Sequence, residues 1–332
     1  MLPGPRRLTL VTSPDDCDLA CDMCREHAPA APHRVGRGRR MDPALALAVT
    51  EEAGPGLAEV VPSTMGEPLL WSGLDALAER CAERNVRLNI TTNGTFPGRG
   101  AAAWAERLAP VASDIKISWN GARAATAEAI MGGLCYGAAL ANVKTFLAVR
   151  DRLRAARRRA CSVSFQVTAR EANVRELGDI VRLAAQLGVE RVKVNQLQVH
   201  FPALVREDLR RDAAARERWN GAVGEMRRAA DEARADGRAV RLENAVEMPE
   251  PPHEAPRGEC PFLDHEAWML WDGRFAPCPS PAAWAGELGD FGNLALHALG
   301  EVWRGEAYRG LVTGYAQRTT CRSCSFRRAG GL

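Results

Sequence analysis

Between residues 7 and 244, short apolar segments of strand type alternate with longer segments of helical period, and that alternation leaves few folds open. The strand segments are RLTLVT (7–12), LAEVVPS (57–63), VRLNITTNGT (86–95), SDIKISWNG (113–121), CSVSFQVTA (161–169) and VERVKVNQLQVH (189–200), with AVRLEN (239–244) as a short return. Helical segments fall between them at Pro43–Glu52, Leu74–Arg84, Ala101–Leu108, Ala138–Ala156, Val174–Leu187 and from about Glu207 to Ala235. Six main strands with intervening helices predict an α/β fold of parallel units, whose right-handed crossovers curve the sheet into a barrel or leave it open. The segment MPEPPHEAPRGE (248–259) has no period and reads as a domain boundary. The Gly- and Cys-rich remainder is too short to build much core alone and calls for a metal to hold it.

Composition narrows the partners. With 332 residues, 46% hydrophobic and 26% charged, the chain is an ordinary globular one rather than disordered or low-complexity. The net charge of +3 hides a skew: of 44 basic residues only Lys116, Lys144 and Lys193 are lysines, leaving 41 arginines. Together with abundant Ala, Gly and Pro, this reads as a GC-rich genome. The basic run Arg150–Arg159 has no interleaved aromatics and reads as a solvated helix face, so no nucleic-acid partner is expected. No apolar run approaches the ~18–20 residues of a membrane span, so no membrane partner is expected. The start MLPGPRRLTLVTSPDD has no secretory h-region, which predicts a cytoplasmic location.

The ten cysteines are clustered: Cys17, Cys21 and Cys24 at the front, Cys260, Cys278, Cys321 and Cys324 at the back, with Cys81, Cys135 and Cys161 scattered. In a reducing compartment such clusters read as metal ligands before disulfides. Cys17-x3-Cys21-x2-Cys24 follows the first strand directly, where parallel α/β folds gather their active sites. Three thiolates suit a [4Fe–4S] cluster with one iron left open. The alternative is a closed zinc site with His27 as fourth ligand.

CDLACDMC resembles the CxxxCxxC signature of the radical S-adenosylmethionine (SAM) superfamily. In that family the open iron binds the amino and carboxylate groups of SAM, which is cleaved to methionine and a 5′-deoxyadenosyl radical. Met23 stands where an aromatic residue usually precedes the third cysteine, against the adenine. Met65-Gly66-Glu67-Pro68 resembles the family's GGEP, which contacts the SAM amino group. Thr91–Thr95 (TTNGT) resembles its TNG segment, and Ser118-Trp119-Asn120-Gly121 its SLDG near the ribose. The resemblance implies a partial (β/α)6 barrel over residues 1–247. SAM is then expected across the C-terminal strand ends, touching Met23, Gly66, Glu67, Asn93, Ser118, Gln166 and Asn195.

The tail reads Cys260-x12-Gly273-x4-Cys278, then 42 residues, then Cys321-x2-Cys324, with an Asp272-Gly273 hairpin signal before Cys278. It resembles the auxiliary-cluster domains of the same superfamily, SPASM and Twitch. Because the chain ends eight residues after Cys324, the shorter Twitch form is expected over 248–332, with Cys260, Cys278, Cys321 and Cys324 holding a second [4Fe–4S] cluster. A zinc ribbon is the alternative for these four thiolates. Only residues 1–6 precede the first strand, so no separate N-terminal peptide-binding module is expected.

Small-molecule members of this kind oxidise or epimerise a hydroxyl-bearing carbon of aminocyclitol and aminoglycoside antibiotics. A dehydrogenase passes an electron to the auxiliary cluster, whereas an epimerase needs a cysteine hydrogen donor facing the cavity. Cys81 lies mid-helix, and Cys161 shares a face with Val163, Phe165 and Val167, opposite the polar Ser164, Gln166 and Thr168. Cys135 is the remaining candidate. His200 and Glu243, near strand ends, are candidates for proton acceptance and for binding a cationic substrate. The resemblance favours a spectinomycin-type dehydrogenase served by an external flavodoxin- or ferredoxin-type donor. An epimerase is the alternative, followed by a peptide-modifying maturase or a nonenzymatic electron carrier.

Overall fold

The computed structural model describes residues 4–31, 38–62, 65–249, 258–324 and 326–327. Seven strands run in chain order: β1 (Arg7–Leu10), β2 (Glu59–Val61), β3 (Arg87–Thr92), β4 (Ala112–Ser118), β5 (Ser162–Ala169), β6 (Arg191–Gln196) and β7 (Arg241–Glu243). They pair side by side in that order, all parallel. The crossover helices are α1 (Pro43–Glu52), α2 (Leu74–Glu83), α3 (Gly100–Leu108), α4 (Ala124–Ile130), α5 (Tyr136–Ala155), α6 (Leu177–Leu187) and α7 (Ala213–Ala235). The α/β class and the mostly parallel sheet are those expected from the periodicity.

Alternation along β5 decides its two faces. Val163, Phe165 and Val167 are fully buried in the main core, and Cys161 lies in the same layer. Ser164, Gln166 and Thr168 take the other face. On that face Arg191 of β6 bonds both Ser164 of β5 and Asp114 of β4. This polar face lies opposite the one that packs with the crossover helices, which makes it the inside of the barrel.

The larger departures from the periodic reading have physical reasons. The last crossover helix begins at Ala213 rather than near Glu207, because the Asp212 side chain caps it by accepting from the Ala215 N–H at 2.7 Å. Pro202–Glu207 forms a 3₁₀ turn instead. β6 stops at Gln196, because Leu197, Phe201 and Leu204 turn away to bury themselves with Ala28 behind the cysteine loop. Helix α4 carries no strong apolar stripe, and the sequence does not announce it.

The tail forms the expected hairpin, β8 (Glu266–Met269) with β9 (Phe275–Ala276). Gly273 has φ +86° in the turn, and a side chain there would strike the Asn293 side chain. β8 also pairs in parallel with β1, from Arg7 opposite Glu266 to Leu10 opposite Met269. The hairpin therefore extends the barrel's own sheet to nine strands. Met269, Phe275, Trp303 and Tyr308 join the main core, so the tail shares the apolar layer between the sheet and its helices. The boundary read at 248–259 lies mostly outside the described residues. Among the described residues no helix is long and apolar enough to cross a membrane.

Candidate active site at the strand ends

The loop after β1 carries the three front cysteines. A two-residue strand, Ala20–Cys21, pairs antiparallel with Met131–Gly132 beyond α4. Cys24 N–H donates to the Cys21 carbonyl at 3.0 Å, and His27 N–H donates to Cys24 Sγ at 3.4 Å. The His27 ring instead bonds the Pro14 carbonyl at 2.8 Å, so it is already engaged. Burial pushes the Cys17 thiol up to about 11 and that of Cys21 to about 12, with Cys24 also raised. For Cys21 the neighbouring sulfurs of Cys24 and Cys17 add to the effect. Thiols gathered this way ionise when a metal takes up their charge, which is the donor set a thiolate-bound cluster requires.

Gly66 and Glu67 lock the second loop onto the first. Glu67 N–H donates to the Asp16 carbonyl at 2.6 Å. Gly66 has φ +74°, and a Cβ there would lie 2.1 Å from the Ser13 carbonyl oxygen and 2.7 Å from that of Asp16. The Glu67 carboxylate turns inward, accepting from Asn93 N–H at 2.7 Å, Thr92 Oγ1 at 2.9 Å and Leu69 N–H at 3.1 Å. Burial raises its pKa to about 7 against these lowering bonds. Asn93 continues the chain of contacts, donating to Asp18 at 2.7 Å and approaching Cys17 Sγ at 3.8 Å. Glu67 and Asn93 thus brace the cysteine loop from below.

The remaining expected cofactor contacts are spread around the rim. Ser118 and Gln166 are register partners on β4 and β5. Asn195 lies opposite Thr168 and accepts from Asn244 at 3.2 Å. Met23 is half-buried against the apolar patch of Ala28, Leu197, Phe201 and Leu204. Asn120, standing where the resemblance has an acid, is buried and accepts from Thr168 N–H at 2.8 Å, a structural bond. Ser13 Oγ, beyond the end of β1, and Gln196 Oε1, at the last residue of β6, are buried without a partner. Orphaned polar atoms at the strand ends fit a polar ligand bound there.

His200 lies in the exposed loop after β6. Burial of its ring and the charge of Arg25 hold its imidazole below the ordinary value. Glu243 ends β7 on the inner face, 2.7 Å from Lys193 and 3.1 Å from Arg191. Burial opposes its ionisation, yet these cations hold its pKa low. Cys135 is exposed at the N-cap of α5, three residues past the short strand that pairs with Cys21. Cys81 and Cys161 are buried, with thiols pushed up to about 12 by desolvation.

In the tail, the thiol of Cys278 is pushed up to about 12 by burial and by the nearby Cys260, Cys324 and Cys321. The thiols of Cys260, Cys321 and Cys324 thus lie within electrostatic reach of Cys278, although 42 residues separate Cys278 from Cys321 in sequence. Cys260 N–H donates to the Tyr315 hydroxyl at 3.2 Å. Arg327 stacks over that Tyr315 ring and donates to the carbonyls of Gly258 at 2.7 Å and Cys321 at 3.2 Å. Among the described residues, no three His, Cys, Asp or Glu groups draw close enough to hold one metal ion. A [4Fe–4S] cube spreads its thiolates over several irons and asks for a wider grouping.

Two arginines that the motifs do not mark hold the site together. Arg39 bonds Asp15 at 2.9 Å and Glu26 at 2.5 Å, and lies over the Trp271 ring at 4.9 Å, joining the cysteine loop to the tail hairpin. Arg170, directly after β5, is buried and bonds Asp22 between two cysteines, and Glu207 at 3.1 Å. Its only sequence signal is a charge at a strand end. Arg170→Met leaves Glu207 without its cation and frees the cysteine loop. Breaking such a pair is expected to cost about 3 kcal/mol, read as a lower urea midpoint, with faster cluster loss on exposure to chelator.

Residues 11–184, more than half of the chain, match the radical SAM superfamily, and residues 260–325 match the SPASM iron–sulfur cluster-binding domain. The 7-carboxy-7-deazaguanine synthase of Methanopyrus kandleri is 33% identical over 122 residues, covering 32% of this chain and 48% of that protein. The chain thus spans about half the length of that curated relative. Streptococcus suis SuiB bound to S-adenosylmethionine superposes with a TM-score of 0.69 at 14% identity, over 99% of this chain and 73% of that one. Native anSMEcpe with bound AdoMet gives 0.65 at 13% identity, over 96% and 88%. At these identities the likeness is one of fold. With the cysteine loop, the braced MGEP segment and the gathered tail thiols in place, this chain belongs to the radical SAM superfamily, a SAM- and [4Fe–4S]-dependent enzyme carrying a C-terminal auxiliary iron–sulfur domain.

Proposed function

We propose that this protein is a cytoplasmic dehydrogenase that oxidises a secondary alcohol to a ketone on an aminocyclitol or aminoglycoside antibiotic intermediate, of the spectinomycin type. When bound, SAM and its cluster supply a 5′-deoxyadenosyl radical able to remove a carbinol hydrogen. Cys17, Cys21 and Cys24 would hold that cluster, and Cys260, Cys278, Cys321 and Cys324 the auxiliary one. An external flavodoxin- or ferredoxin-type protein starts turnover.

The observation that carries this reading is the gathering of four tail thiols on a hairpin continuous with the barrel sheet. Four protein ligands leave such a cluster no open iron for substrate, so its role in the chemistry is to accept an electron. Two of the three other cysteines support the same reading, since Cys81 and Cys161 are buried away from the concave face. Gly66, Glu67, Asn93, Ser118, Gln166 and Asn195 orient SAM at the strand ends, with Met23 beside the adenine. Glu243 presents a carboxylate, already fixed by Lys193, to the substrate's amine or hydroxyl groups. His200 stands at the mouth of the site.

A second reading, an epimerase, is favoured by one observation. Cys135 is exposed at the start of α5, on the side of the cysteine loop. The test is anaerobic turnover of the reconstituted protein with SAM, dithionite and 2-deoxystreptamine in deuterated water. The dehydrogenase yields ketone, and Cys135→Ala leaves its rate within about twofold. An inverted alcohol carrying one deuterium, replaced by ketone in Cys135→Ala, would establish the epimerase instead.

A further inference from the structure

Arginine replaces lysine almost everywhere in this chain, yet two of its three lysines point into the barrel. Lys116 on β4 and Lys193 on β6 lie on the concave face, flanking β5, while Lys144 is exposed on α5. In a chain with 41 arginines and 3 lysines, a lysine kept on the inner face of the barrel points to a property that arginine lacks. That property is a compact amine that can give up its proton, since a guanidinium stays charged at any working pH.

The surroundings of the two amines differ. Lys193 is tied to Glu243 at 2.7 Å and lies in one row with Ser118, Gln166 and Glu243 across four strands. Lys116 lies one row deeper, level with Thr91, Ser164 and Arg191. Its amine donates to the Asn89 side-chain carbonyl on β3 at 2.5 Å. The carboxylates around it are engaged elsewhere: Asp114 with Arg191, Glu59 with Arg7 at 2.7 Å. Lys116 therefore faces the interior as an amine held by a neutral amide.

We propose that Lys116 accepts the hydroxyl proton when the carbinol is oxidised, with the Lys193–Glu243 pair fixing the substrate oxygen beside it. The proposal rests on the dehydrogenase reading. In balance, the carbon–hydrogen bond gives its hydrogen atom to the deoxyadenosyl radical, and the hydroxyl gives its proton to Lys116 Nζ. One electron passes to the auxiliary cluster, and a carbon–oxygen double bond forms.

Charge and burial agree with the role. Desolvation lowers Lys116 to about 8, helped by Lys193 and Arg191 on β6 and opposed by Asp114 on its own strand and Glu59 on β2. Asn89, Thr91, Ser164 and Gln166 contribute neutral groups, and Glu243 is taken by Lys193. A neutral amine is thus available near physiological pH.

Three lysines make the test tractable. Trace acetylation of the reconstituted holoenzyme, read by mass spectrometry and normalised to exposed Lys144, is expected to show Lys116 half-maximally reactive near pH 8. Ketone formation from 2-deoxystreptamine should rise over the same interval. Lys116→Arg and Lys116→Gln should each lower it by roughly 10²-fold, while 5′-deoxyadenosine still forms, because hydrogen abstraction precedes proton loss. Lys144→Arg should leave the rate unchanged. A Lys116 that becomes reactive only above pH 10, or Lys116→Arg that retains the wild-type rate, overturns the proposal with the dehydrogenase reading intact. Loss of ketone on His200→Ala with Lys116→Arg unimpaired transfers the role to His200. A wild type that makes no ketone overturns both.

Discussion

Replacing Cys17, Cys21 and Cys24 together by alanine is expected to abolish SAM cleavage while leaving about four of about eight irons, the content of one remaining [4Fe–4S] cluster. The three thiols are within electrostatic reach of one another and lie on a single loop anchored by Asp22, Asp16 and Asp18. The tail thiols form a separate group, on a different hairpin, and their iron should survive. Iron and sulfide analysis of anaerobically purified protein, with 5′-deoxyadenosine counted in parallel, reads both effects. Loss of all iron in the triple variant would show that the two groups are not independent. Stoichiometric zinc bound by the tail cysteines would defeat the auxiliary-cluster assignment.

Gly66→Ala should be nearly as damaging, for a reason of backbone geometry. The residue sits at φ +74°, and its added methyl would meet the carbonyl oxygens of Ser13 and Asp16 at 2.1 and 2.7 Å. Backbone atoms cannot rotate aside as a flexible side chain would, so the loop must move. Because Glu67 N–H is bonded to the same Asp16 carbonyl, the displacement carries into the cysteine loop. A loss of about 3 kcal/mol is expected from strain and lost contacts, with SAM cleavage falling by more than tenfold. Gly56→Ala is the control: nothing lies within 4 Å of its added carbon, and its midpoint should hold. An unchanged urea midpoint and unchanged SAM cleavage in Gly66→Ala would contradict the bracing role given to the MGEP segment.

The order of strands and helices was legible because amphipathic period is a local property. The alternation in CSVSFQVTA sorts Val163, Phe165 and Val167 from Ser164, Gln166 and Thr168 without any knowledge of neighbours. Element ends were less legible, since they depend on what the next residues can bury. Leu197 and Phe201 leave β6 to cover Ala28, and Asp212 rather than Glu207 caps α7. The front cysteines were legible by spacing alone, because one loop holds all three. The back four were grouped by spacing and resemblance. Their proximity in space depends on the hairpin and on the short helices α8 (Pro281–Trp284), α9 (Leu299–Arg304) and α10 (Glu306–Gly314) that return the chain to Cys321.

By itself, then, the sequence determined the α/β class, the succession of parallel units and the two sets of thiols, all readable over a few residues at a time. Tertiary structure alone decided how these parts meet. Pairing of β8 with β1 turns the tail into an extension of the barrel, because an open edge of β1 offers unpaired backbone groups to the returning chain. Arg170 reaches Asp22 across 148 residues, and Arg39 reaches Trp271. Lys116 and Lys193 converge because the sheet is curved and in register, and neither curvature nor register can be read from one strand at a time.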